Sequence, residues 1–445
     1  MTTPIDDFLR SYADSDAVRM HMPGHKGKFP GTACDLTEIG GADELFHPTG
    51  IIAESEANAS QLFGCRTLYS AEGSSLCIRA MLHLAVLYAA EQGRPPVIMA
   101  ARNVHRAYMT AAVLLDFGTV WLPQGENYLS AQITAESLEA AYQHAENKPC
   151  ALYLTSPDYL GSLANIAIAA SFCRAHGMLL LVDNAHGAYL HFLPAPCDPI
   201  ALGADICCDS AHKTLPVLTG GAYLHIAARA PEICRDEAKS AMALYASTSP
   251  SWLILQSLDR CNTLLDRDFP AQLRDFLPLL DAVRRRLTAA GWVLCGGEPM
   301  KLTLHAALRG YTGTELADIL QKAHIYAEFA DPDFLVLMPA PCHTEAELTR
   351  TADVLCGLPR RHAKIAPPPP AAELVFGCTP RQAVLAPHER LPVSQCVGRI
   401  CAELTVSCPP AVPVVFCGEV ITEAAARALS YYGANECSVV RAVQF

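Results

Sequence analysis

Three stretches of the chain bring together residues whose types and spacing suit chemistry. Asp209-Ser210-Ala211-His212-Lys213 follows the apolar run Ala204-Asp205-Ile206-Cys207-Cys208. Leu179-Leu180-Leu181-Val182 runs into Asp183 and the loop Asn184-Ala185-His186-Gly187. Ala71-Glu72-Gly73-Ser74-Ser75 precedes a stretch of helical period that starts near Leu76. Lys213 offers a nucleophilic amine and Asp183 a carboxylate. Gly73-Ser74-Ser75 offers hydroxyls and free amides at a helix start, where the helix dipole favours an anion. Each has an ordinary structural use when taken alone: Gly-Ser-Ser caps helices, and Asp at a strand end closes turns. A second His-Lys pair, His25-Lys26 in His21-Met22-Pro23-Gly24-His25-Lys26-Gly27, lacks such company and fits an N-terminal arm.

Together the three stretches suit one cofactor. A pyridoxal phosphate enzyme needs a lysine to form the Schiff base, an acidic residue to keep the pyridine nitrogen protonated, and a phosphate cup. Lys213 and Asp183 fill the first two roles, with Ser74, Ser75, Ser210 and His212 as candidates for the cup. The order Gly-Ser-Ser, then Asp, then Ser-x-His-Lys is far more specific than any of its parts.

The elements that must position these groups follow from hydrophobic periodicity. Strands are predicted over 97–100, 120–123, 151–155, 179–183, 206–209 and 221–226. Between them lie helix-period stretches from Leu76 to Glu91, Ala107 to Leu115, Ala135 to Tyr142 and Ile166 to His176. This alternation predicts an α/β fold with a mostly parallel sheet covered by helices, in which ligands gather at the carboxyl ends of strands. After Pro250 come helices over Trp252 to Asp268 and around Leu280 to Ala290, then two strands, in 301–306 and 334–340, of a smaller α/β unit. The expected division is an N-terminal arm over 1–30, a large cofactor-binding domain over 31–265, a small domain over 266–366 and a C-terminal segment, 367–445, packed on the small domain. Ala366 to Ala372, with four consecutive prolines, reads as a semi-rigid crossing.

Composition narrows the class. The chain has 445 residues and a formal net charge of −12, with no dense cluster of Lys and Arg, which argues against a nucleic-acid partner. No apolar run of membrane-spanning length appears, and the acidic start lacks the features of a signal peptide, so a cytoplasmic protein is expected. The 19 cysteines are scattered without metal spacing and the 16 histidines form no ligand pattern, so no metal site is expected.

On these motifs the chain resembles the bacterial ornithine/lysine/arginine decarboxylases, in their short form, of the pyridoxal phosphate-dependent transferase fold type I. The likeness rests on 21–27 HMPGHKG, 41–52 GADELFHPTGII, 71–75 AEGSS, 101–107 ARNVHRA, 155–161 TSPDYLG, 181–192 LVDNAHGAYLHF, 209–216 DSAHKTLP, 247–252 STSPSW and 398–403 GRICAE. The resemblance implies that Lys213 is the Schiff-base lysine and Asp183 the partner of the pyridine nitrogen. It implies that His105 stacks on the cofactor ring, that His186 lies beside it, and that Ser74, Ser75, Ser210 and His212 bind the phosphate. Thr248 and Ser249 match a segment that reaches the phosphate of a neighbouring subunit, so the resemblance also implies a homodimer, or a multiple of dimers, with shared sites. Two departures stand out: Asn184 occupies a position that is more often acidic in the family, and Ala71-Glu72-Gly73 replaces a common Asn-Gly start of the phosphate loop.

The expected reaction is decarboxylation of a basic amino acid: arginine to agmatine first, lysine to cadaverine or ornithine to putrescine next. The alternatives are another pyridoxal phosphate reaction, such as transamination or side-chain lysis, and a non-catalytic cofactor-binding regulatory protein. Glu44, Glu72 and Glu403 are candidates for the substrate's distal cation. Arg381 and Arg399 are candidates for its carboxylate or for structural ion pairs.

Overall fold

The structure is a computed structural model that describes all residues except 124–130, 132, 196, 363–365, 371–372, 408–412 and 442–445. Seven strands form one sheet in the order β1-β7-β6-β5-β4-β2-β3. They are β1 (Arg66–Ser70), β2 (Val97–Ala100), β3 (Gly118–Trp121), β4 (Ala151–Thr155), β5 (Leu179–Asp183), β6 (Ile206–Asp209) and β7 (Ala222–Ile226). The flanking helices include α1 (Pro4–Ala13), α2 (Ile51–Phe63), α3 (Ser74–Glu91), α4 (Arg106–Leu115), α5 (Ala135–His144), α6 (Ile166–Ala175), α7 (Pro199–Leu202) and α8 (Ala211–Thr214).

The apolar runs became strands because β4, β5 and β6 are buried on both faces, as the strands of a helix-covered sheet are. β5 and β6 pair in parallel, with Asp183 opposite Cys208. The sheet edge departs from the parallel expectation. β7 runs antiparallel to β6, and β1 runs antiparallel to β7. β1 is absent from the sequence prediction: Arg66-Thr67-Leu68-Tyr69-Ser70 is short and half polar, and only pairing with β7 makes it a strand. β3 begins two residues earlier than predicted. The second long helix after Pro250 is Phe269–Ala289, beginning well before the expected Leu280, with Pro278 accommodated inside it.

The chain divides into two compact units. The first comprises Met1–Ile98, Asn147–Leu154 and Ile166–Gln272. In it, Asp259 is fully buried. It accepts hydrogen bonds from the backbone N–H groups of Ile5 and Asp6 and from the Ser55 hydroxyl, which fastens the start of α1. The second comprises Met99–Glu146, Thr155–Asn165 and Leu273–Phe445. It holds a four-stranded sheet and an apolar cluster in which Phe329, Phe334 and Val336 pack with Val393, Val414, Val415, Leu429 and Val439. Arg102 and Glu419 form a buried ion pair at 2.7 Å in this unit. Residues 366–370 of the proline-rich stretch carry no regular structure, and the rest of that stretch lies outside the described residues.

Candidate active site

Lys213 sits on α8, the single turn that follows β6, and its backbone N–H donates to Ser210 O at 2.9 Å. Its Nζ lies 3.1 Å from Nε2 of His186, a residue of the turn after β5 that is 6% exposed. That turn is closed by Gly187 N donating to Asn184 O at 2.8 Å. The amine is thereby held against the turn that begins one residue past Asp183, at the carboxyl ends of two adjacent parallel strands.

Asp183 is 2% exposed. Its Oδ2 accepts from the Tyr153 hydroxyl at 3.1 Å, and its Oδ1 accepts from Ala185 N at 3.1 Å and from the Cys208 thiol at 3.8 Å. Donors on both oxygens offset the cost of keeping a carboxylate out of water. Burial, reinforced by the negative charge of Asp183, pushes the Cys208 thiol well above its ordinary range, so Cys208 stays an S–H donor.

The start of α3 forms a cradle. Gly73 is its N-cap at φ +71 and ψ 175, a conformation open to glycine, and no side chain caps the helix. A Cβ on Gly73 would meet nothing nearer than Ser75 N at 4.0 Å, so there is open space over the first amides. Ser210 Oγ donates to Ser74 Oγ at 2.7 Å, bringing two hydroxyls together beside that space, and Ser75 follows in the first turn. His212 approaches from α8, with Nδ1 3.0 Å from Gly221 O. An amine, a buried carboxylate and an uncapped, hydroxyl-lined helix start fit the aldehyde, ring nitrogen and phosphate of pyridoxal phosphate.

The first unit thus brings Lys213, His186, Asp183, Ser74, Ser75, Ser210 and His212 to one region, at the carboxyl ends of β5 and β6. His105 belongs to the second unit, where it is the N-cap of α4 and its Nδ1 accepts from Ala107 N at 3.1 Å. Thr248 and Ser249 are exposed on the first unit, next to Ser247, whose N–H donates to Glu72 at 2.6 Å. The remaining polar candidates have local partners. Glu44 accepts from His47 at 2.8 Å and from Phe46 N, and Glu403 accepts from Ser438 N at 2.8 Å. Arg399 pairs with Glu389 at 2.7 Å, and Arg381 donates to Leu114 O at 3.2 Å. In the arm, Lys26 donates to His21 O and His25 pairs with Asp35 at 3.1 Å.

Residues that sequence reasoning missed lie just behind the site. Tyr153 is one, its hydroxyl set within the mostly apolar strand β4 and donating to Asp183. Asp209 and His225 form a buried pair at 3.2 Å. A histidine inside the apolar strand Ala222–Ile226 was the available signal.

Comparison with known proteins carries the site further. The sequence model of the Orn/Lys/Arg decarboxylase major domain matches residues 3–289, and that of the C-terminal domain matches 373–439. The chain belongs to the Orn/Lys/Arg decarboxylase family. Its relatives include an uncharacterized protein, YaaO, of Bacillus subtilis, 30% identical over 97% of this chain and 94% of the relative. An arginine decarboxylase of Halalkalibacterium halodurans is 29% identical over 95% of this chain and 91% of that protein. Among solved structures, the lysine decarboxylase of Francisella novicida superposes with a TM-score of 0.79 at 17% identity, over 99% of this chain and 81% of that one, which shows the common fold. The chain is therefore an amino acid decarboxylase of a pyridoxal phosphate-dependent family. Among the described residues, no helix of the decarboxylase is long and apolar enough to cross a membrane.

Proposed function

We propose that the decarboxylase acts on a basic amino acid, arginine before lysine or ornithine, using pyridoxal phosphate held through Lys213. The observation that carries this reading is the Lys213–His186 contact at 3.1 Å beside buried Asp183, in the region where Ser74 meets Ser210. The arginine decarboxylases among the relatives that align over nearly the whole chain favour arginine.

When bound, pyridoxal phosphate supplies an electron-poor ring that takes up the electron pair left on Cα as carbon dioxide departs. Lys213 would hold the cofactor through its Nζ amine. His186 Nε2, 3.1 Å from that amine, would hold or return a proton at Nζ. Asp183 keeps the proton on the ring nitrogen, with Tyr153, Ala185 and Cys208 fixing the orientation of its carboxylate. Ser74, Ser75, Ser210 and His212, with the α3 amides, bind the phosphate. The family resemblance assigns His105 a role at the cofactor ring.

We assign Thr248 and Ser249 to the phosphate of a second copy, in a homodimer with shared sites. In the single chain they are exposed, as are Val18, Met20, Phe29 and Leu244 of the same unit, the type of apolar surface that a partner covers. The direct test supplies the purified protein and pyridoxal phosphate with arginine, lysine and ornithine separately and measures carbon dioxide and amine. Agmatine from arginine, with none from Lys213→Ala and no visible absorption of lysine-bound cofactor in that variant, is the expected result. Retained activity in Lys213→Ala, or no amine from any of the three substrates, overturns the reading.

A further inference from the structure

Asn184, Asp209 and His225 form a buried chain that the reaction above does not use. They are 1, 3 and 2% exposed. Asn184 Nδ2 donates to Asp209 Oδ1 at 2.7 Å, and Asp209 Oδ2 lies 3.2 Å from His225 Nε2. On its far side, His225 Nδ1 is 2.9 Å from Thr67 Oγ1 and 3.7 Å from Cys65 Sγ. The chain therefore crosses from the turn after β5, over the last residue of β6, to β7 and β1.

A carboxylate and an imidazole this far from water are costly unless each is paired and hydrogen-bonded. Burial pushes the His225 imidazole towards neutrality, but the charge of Asp209 and its hydrogen bond more than reverse this and raise its pKa to about 10. Asp209 thus faces a cation on one oxygen and the Asn184 amide on the other. Asn184 also grips β6 through its backbone, N–H to Cys208 O at 2.9 Å. Both ends of this grip adjoin site residues: Asn184 follows Asp183 directly, and Asp209 directly precedes Ser210.

The residue type at 184 follows from the same geometry. A carboxylate there would face the Asp209 carboxylate at hydrogen-bond distance without a proton to share, a like-charge contact in a low dielectric. Asn184 supplies the donor that Asp209 requires.

We propose that the Asn184–Asp209–His225 chain is a positioning device that locks the turn carrying Asp183 and His186 to the segment carrying Ser210 and Lys213, setting the cofactor's ligands before it arrives. The proposal rests on the reading of those four residues as cofactor ligands. Its members are positioning residues: Asn184 and Asp209 adjoin Asp183 and Ser210 along the chain, and His225 acts through Asp209.

The test uses the full-length protein as Asn184→Asp, Asp209→Asn and the double variant, alongside the parent. Three quantities are measured: pyridoxal phosphate affinity by absorbance titration, melting of the cofactor-free protein, and His225 protonation by imidazole NMR at pH 8 without cofactor. Asn184→Asp is expected to weaken cofactor binding by about tenfold or more, the cost of a lost charge-assisted hydrogen bond and a new repulsion. The double variant, which exchanges donor and acceptor, recovers most of that loss. His225 is doubly protonated in the parent and neutral in Asp209→Asn. Unchanged affinity in Asn184→Asp overturns the proposal, as does a loss that the double variant does not recover or that only mirrors a lower melting temperature. A neutral His225 in the parent overturns it without reference to the cofactor. A parent that takes up no pyridoxal phosphate while His225 remains charged instead overturns the proposed function, and with it the purpose assigned to this chain.

Discussion

A carboxylate beside a ring nitrogen acts through its charge, so Asp183→Asn is the sharpest single-residue test of the site. The amide keeps an acceptor oxygen for Tyr153 or Ala185 and nearly the same volume, and the fold should survive, with a melting temperature close to the parent. Turnover should fall by about two orders of magnitude or more, because the ring nitrogen loses the partner that keeps it protonated. Steady-state decarboxylation alongside a melting curve decides it, and near-parental turnover would mean that Asp183 does not play this role. How much was legible in the sequence divides along the same line. Lys213, Asp183 and the Ser74-Ser75 pair could be proposed from sequence because each is a reactive type at a predicted element end. Tyr153, Asp209 and His225 were hidden, since their roles exist only once neighbouring strands lie side by side in the sheet.

At the scale of elements, two junctions bear tests. The first is the start of α3, where Gly73 at φ +71 and ψ 175 holds a backbone conformation costly to any residue with a Cβ. Space is open there, so Gly73→Ala is penalised by conformation alone, about 1–3 kcal/mol. The variant should either melt earlier by that amount or relax the helix start and lose pyridoxal phosphate affinity; a variant unchanged in both would show that the cradle needs no glycine. The second junction is the β6–β7 pair clasped by Asp209 and His225. His225 has a folded pKa of about 10, against about 6.5 in an unfolded chain. Its contribution to stability is therefore complete below about pH 6.5 and is lost as pH rises through about 10. In between, denaturant titrations should show the parent losing up to about 1.4 kcal/mol per pH unit relative to His225→Gln, which lacks this proton. Parallel pH profiles for the two proteins would remove the charge from His225. The strands themselves were legible where both faces are buried, as in β4 to β6. β1 was not, because its short, half-polar sequence has no strand period and becomes a strand only against the antiparallel β7.

At the scale of the whole molecule the question is whether one chain suffices. Thr248 and Ser249 stand exposed on the first unit, while Lys213 and the α3 start lie in the same unit with partners of their own. If each site draws Thr248 and Ser249 from a second copy, the two sets of residues are separable between chains. A Lys213→Ala protein and a Thr248→Ala/Ser249→Ala protein, each nearly inactive, should complement when unfolded and refolded together or co-expressed. In random assembly half of the dimers are hybrids, and each hybrid rebuilds one intact site of two, so activity should return to about a quarter of the parent's. Complementation of this kind cannot arise if both sets act within one chain, because every chain in the mixture carries one defect. A mixture no more active than its components, with dimers present by sedimentation, would assign Thr248 and Ser249 to their own chain's site and leave the exposed apolar residues around them to another purpose.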